Sequence, residues 1–116
     1  MKFSARKDNV INELALLQGI VEKRTTMPIL SNVLLTARGE NVEIMATDLE
    51  VGMKSIFEAE IKEEGQAAVN GKRLFDFIRL LPEDRPIDFF KKDDYMLVKS
   101  GESEIKIVAA PEEDFP

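Results

Sequence analysis

The hydrophobic periods of this 116-residue chain run through one succession and then begin it again. Met1, Phe3 and Ala5 alternate with Lys2, Ser4 and Arg6, the pattern of a strand with one covered face. Val10, Ile11, Leu14, Leu17 and Val21 then fall at helical spacing on one face. Asp8 stands as the N-cap and Gly19 weakens the last turn, so the spacing predicts a helix near 9–20. Strand patterns follow over 30–37 and 42–47. The longest alternation covers 49–61: Leu49, Val51, Met53, Ser55, Phe57, Ala59 and Ile61 hold one phase, with Glu50, Lys54, Glu58 and Glu60 on the other.

From Gln66 the order repeats. A short strand over 66–69 leads to Asn70, a capping residue, and Leu74, Phe77, Ile78 and Leu81 give the i, i+3, i+4, i+7 stripe of a second helix near 71–81. Pro82 ends it. Strands over 86–91, 95–100 and 104–109 follow, separated by turns at Lys92-Asp93-Asp94 and Gly101-Glu102-Ser103. Each half, about 1–62 and 66–110, therefore reads β-α-β-β-β. Neither half covers its own apolar helix face, so the two pool their elements around one core. The expected fold is α+β, a single domain over 1–116, with two helices packed against two antiparallel four-stranded sheets.

Composition removes several chemistries. There is no cysteine and no histidine, which excludes disulfides, zinc sites built from those residues, and Ser-His-Asp or Cys-His catalysis. The lack of cysteine fits a cytoplasmic location. No apolar run reaches membrane-span length, and no glycine-rich phosphate loop is present. The net charge of −6 argues against a broad basic surface and leaves room for a small basic patch. Asp93-Asp94 and Glu112-Glu113-Asp114 lack the spacing of a calcium loop and read as a hairpin turn and a solvated tail. No base stands out in the sequence beside Asp48 as catalysis would need, and it reads as a turn organiser. No metal or cofactor is expected.

The cations sit in two places. Lys23 and Arg24 follow the first helix, and Lys72, Arg73 and Arg79 lie on the second. Lys72, Asp76 and Arg79 share a face opposite the apolar stripe, which by itself reads as a solvated face with an i,i+4 pair. Off its apolar face, helix one offers Asn9, Asn12 and Glu13 and no cation.

The run Arg24-Thr25-Thr26-Met27-Pro28-Ile29-Leu30-Ser31-Asn32-Val33-Leu34-Leu35, the Thr47-Asp48-Leu49-Glu50 turn and the closing Ala110-Pro111-Glu112-Glu113-Asp114-Phe115-Pro116 resemble the N-terminal domain of the bacterial sliding clamps, the β subunits of DNA polymerase III. The duplicated β-α-β-β-β order agrees with that resemblance, which spans essentially the whole chain. It implies the first of three domains in a protomer, and a ring of two protomers joined head to tail around duplex DNA. Such a ring is a non-catalytic processivity factor that tethers a replicative polymerase by topology. A polymerase and a clamp loader would bind through domains outside this chain, with no membrane involved. By resemblance Arg24 and Lys72 become phosphate contacts, with Arg73 and Arg79 behind them. The outer strands, about 49–61 and 104–109, abut neighbouring domains, and Phe77, Ile105 and Ile107 form the apolar part of the subunit contact. Glu102 and Glu104 are acidic where basic side chains often sit at that contact. Two other functions fit the bare pattern: an α+β adaptor that binds peptide by strand addition at an exposed edge, and a small enzyme using Asp48 or Lys72.

Overall fold

A computed structural model describes residues 1–21 and 28–116. Its elements follow the periodicity closely: β1 (Lys2–Ala5), α1 (Lys7–Val21), β2 (Asn32–Arg38), β3 (Asn41–Thr47), β4 (Gly52–Glu58), β5 (Glu60–Glu63), β6 (Gly65–Asn70), α2 (Gly71–Ile78), β7 (Ile87–Lys92), β8 (Tyr95–Ser100) and β9 (Ser103–Ala110). Single 3-10 turns over Pro28–Ser31 and Glu112–Asp114 complete the list of elements among the described residues.

The strands make one nine-stranded sheet in the order β4-β3-β2-β6-β9-β8-β7-β1-β5. Every pairing is antiparallel. The expected four-stranded sets are both present, as β4-β3-β2-β6 and β9-β8-β7-β1. They are hydrogen-bonded to each other where Val69 and Ala68 of β6 meet Ala109 and Ala110 of β9.

The ninth strand comes from the long alternation, which is two strands and not one. β4 pairs with β3 as far as Glu58, opposite Asn41. The Ala59 N–H then donates to the Glu40 carbonyl at 3.0 Å. From Glu60 the chain pairs with β1 at the far end of the sheet. The side chains keep one phase across this change of partner, with Phe57 buried and Ile61 half-buried in the same core. Alternation reports which way side chains point, not which strand accepts the backbone bonds, so the sequence pattern ran on through the break.

The core lies between the sheet and the helices. Phe3 stacks on Phe89 with centroids 4.5 Å apart and meets Phe57 at 6.1 Å. Val10, Leu14 and Leu17 of α1 and Leu74 and Ile78 of α2 are buried in the same cluster, which is the pooling of halves that the two one-sided helices require.

The helices run antiparallel side by side. At one end Lys7, buried at the start of α1, donates through Nζ to the carbonyls of Arg79 (3.0 Å) and Leu81 (2.7 Å), beyond the end of α2. At the other end Gly71 lies so close to α1 and β2 that a Cβ there would stand 2.9 Å from Val33 Cγ1 and 3.4 Å from Val21. Helix one begins two residues before the expected start, so Asp8 falls inside its first turn, bonded to Arg6 at 3.0 Å, and is not the N-cap. Helix two ends at Ile78, and Leu80 and Leu81 close the turn through bonds to Phe77 and Ile78.

Candidate nucleic-acid interface

The cationic face of α2 is set by its entry. Asn70 ends β6 in an extended conformation and accepts the Arg73 N–H at 2.9 Å, the bond that satisfies a free donor of the first turn. This cap fixes the helix phase. Gly71, Leu74 and Ile78 turn inward, while Lys72, Arg73 and Arg79 turn to solvent. Asp76 sits between two of them: one carboxylate oxygen lies 3.2 Å from Lys72 Nζ and the other 3.5 Å from Arg79 Nε. Arg73 forms no ion pair among the described residues.

Helix one adds no exposed cation. Its exposed positions are Asp8, Asn12, Ala15, Leu16 and Gly19, and Lys7 is committed to the end of α2. Glu13 is half-buried and accepts the Ser55 hydroxyl at 2.9 Å. Lys23 and Arg24 lie outside the described residues. The exposed cations on the helices, among the described residues, are thus Lys72 and Arg73 of α2, with Arg79 at its C-cap.

The expected contact residues at the sheet edge divide sharply. Ile107 is 5% exposed and belongs to the domain's own core; Ile105 and Phe77 are half-buried and pack against that core. Val108, in the opposite phase beside Glu104 and Lys106, is 78% exposed. The sequence signal for it was an apolar residue in a strand's polar phase. β9 is bonded to β8 along 103–108, but to β6 only at Ala109 and Ala110. Its other edge over 103–108 therefore carries no strand among the described residues, although β9 lies inside the sheet order. The strands at the two ends of the order are β4 and β5.

Other carboxylates serve the backbone. Asp48 Oδ1 accepts the N–H groups of Glu50 (3.0 Å) and Val51 (2.7 Å), holding a turn in which Leu49 has φ 79°. No group of three or more acidic side chains among the described residues is placed to hold a metal ion. No helix among them is long and apolar enough to cross a membrane.

With this arrangement established, comparison with known proteins is decisive. The family described as DNA polymerase III beta subunit, N-terminal domain, matches residues 1–116. The chain belongs to that family. It is 36% identical to the beta sliding clamp of Pseudomonas putida over 117 residues, covering all of this chain and 32% of that protein. The beta sliding clamp of Vibrio harveyi is 35% identical over 118 residues, with all of this chain and 81% of that sequence covered. Among solved structures, Caulobacter crescentus pol III beta matches the whole chain with a TM-score of 0.96 at 31% identity, over 31% of its own length. A Helicobacter pylori beta clamp bound to a DNA ligase peptide gives 0.94 at 30% identity, over 32% of its length. The nine-stranded sheet with two helices is thus the clamp fold. The chain spans about a third of the length of the first curated relatives it matches.

Proposed function

We propose that this chain is the first of three domains in a sliding-clamp protomer. Two such protomers close head to tail around duplex DNA and hold a replicative polymerase to its template. The observation that carries the reading is the match of the family to the full length of the chain, with Lys72 and Arg73 of α2 and Arg79 at its C-cap exposed to solvent. The ring is a cytoplasmic accessory factor that works without chemistry. DNA passes through the channel, the clamp loader opens the ring, and polymerase and loader dock on domains beyond these residues.

The electrostatics suit that role. Each phosphate neutralised by a cation adds affinity through counterion release, with log K falling by roughly 0.9 per contact per decade of salt. A ring that grips by topology has no need of many such contacts, and strong ones slow its movement. An acidic body repels DNA from the outside, and a few cations on α2 centre it in the channel.

The test uses the full-length protomer loaded on a nicked circular plasmid. Retention should survive moderate salt and vanish when the circle is cut once, because the ring then slides off an end. Arg24→Ala and Arg73→Ala should each shorten retention at least as much as Arg79→Ala, since the Arg79 charge is already shared with Asp76. Equal retention on circular and linear DNA overturns the topological reading.

A further inference from the structure

The cations at α2 are not equivalent: among the described residues, Asp76 pairs with two of the three. Asp76 lies four residues after Lys72 and three before Arg79, and each of its oxygens faces one of them, at 3.2 and 3.5 Å. Its side chain is less exposed than either partner's, at 40% against 59% and 57%. The carboxylate is therefore seated on the helix while the two cations reach over it. A phosphate approaching this face meets three cations and an anion already in place. To pair closely with Lys72 or Arg79 it must share the cation with Asp76 or displace it. Arg73 carries no such competitor among the described residues.

We infer that Asp76 is a positioning residue that sets how firmly the channel holds DNA. It is a resident competitor for phosphate that leaves direct pairing to Arg73 and reduces Lys72 and Arg79 to a weak, exchangeable field. This inference rests on the clamp reading above and adds to it the residue that keeps the grip loose. The geometry supports the assignment because ion pairs on an exposed helix face contribute little to stability, so Asp76 is not needed to hold α2 together. The helix is already fixed by the Asn70 cap, the buried Leu74 and Ile78, and Lys7 at its far end.

The experiment follows full-length rings on a linear duplex blocked at one end, timing their escape from the other. Asp76→Asn keeps size and shape and removes the charge. It should lengthen the lifetime on linear DNA about threefold to tenfold, and steepen its salt dependence by up to about one phosphate contact per domain. Glu43→Gln makes the same charge change on β3, in the strand phase opposite the buried Val42 and Ile44, and should leave the lifetime unchanged. In the Lys72→Ala, Arg79→Ala background the Asp76→Asn effect should vanish, as a double-mutant cycle requires when residues act through each other. Asp76→Ser replaces Asp76→Asn if the latter melts at a lower temperature than the parent. The inference is overturned by a wild-type lifetime in Asp76→Asn, by an equal effect of Glu43→Gln, or by an effect that persists without Lys72 and Arg79. Failure of the clamp reading is recognised separately, because the unmodified protein would then not be retained on circles either.

Discussion

At the residue scale, most of what holds the helices was visible in the sequence as single side chains, but their partners were not. Asn70 was legible as a cap because asparagine before an apolar stripe satisfies a free N–H, and it bonds Arg73 as that reasoning requires. Asn70→Ala should cost about 1 kcal/mol in chemical denaturation, the usual loss for an N-cap. Gly71 was not legible, since the crowding it relieves comes from Val21 and Val33, distant in sequence. Alanine favours a helix interior over glycine by about 1 kcal/mol, yet Gly71→Ala places a methyl 2.9 Å from Val33 Cγ1. Overpacking costs about 1–3 kcal/mol, so the variant should melt at a lower temperature than the parent. Lys7 is the sharper case. It precedes the helix that the spacing predicts and carries no sign of burial, but it is buried and donates to two carbonyls beyond the end of α2. Lys7→Met fills similar space without a donor and leaves both carbonyls unpaired. An unfolding free energy lower by about 2 kcal/mol is expected, the worth of hydrogen bonds made by a charged group.

At the element scale, the order of strands and helices was legible because period-2 and period-3.6 patterns survive in single strands and helices. Pairing was less so. The alternation from Leu49 to Ile61 continues in phase while the backbone changes partner at Ala59, and nothing in side-chain polarity marks that change. The same limit applies to β9. Ile105 and Ile107 share a phase and look alike, but one is half-buried and the other fully covered. Ile107→Lys should therefore unfold the domain, because it buries an unpaired charge. Val108→Lys should leave the thermal melt unchanged and reduce any association through the open edge of β9, as read by sedimentation over a concentration series. The reverse pair of outcomes would mean that the two faces of β9 have been exchanged. The tail gives a pH prediction. The Glu112 carboxyl is held below its usual range, first by a backbone hydrogen bond within its own 3-10 turn and then by Lys91 at 3.2 Å. A carboxylate with a lowered folded pKa contributes stability above its unfolded value and loses it as pH falls through the folded one. Docking of the tail onto β7 should thus hold at neutral pH and weaken as acid carries Glu112 below the ordinary carboxylate range. Amide shifts of Phe115 and Lys91 would follow the change.

At the scale of the whole molecule, the family was legible from three short runs of residues, whereas the cationic surface was only partly so, because which cations are already occupied depends on side-chain geometry. A domain with a net charge of −6 and one short cationic helix should bind linear duplex weakly when alone. Fluorescence anisotropy at physiological salt should show no saturation in the micromolar range; tight binding would mean that affinity, not encirclement, does the holding. One feature of the sheet bears on how the domain keeps its shape. β4 and β5 stand at opposite ends of the nine-stranded order and yet are consecutive, separated by Ala59 alone. Nine strands laid flat at about 4.8 Å would place their outer members roughly 38 Å apart. A single residue reaches only about 3.8 Å. The layer must therefore curl until its two margins meet, like a bracelet whose clasp is one covalent step. At that seam the two margins are joined by the peptide backbone at Ala59, so they cannot part there even when the hydrogen bonds beside them open.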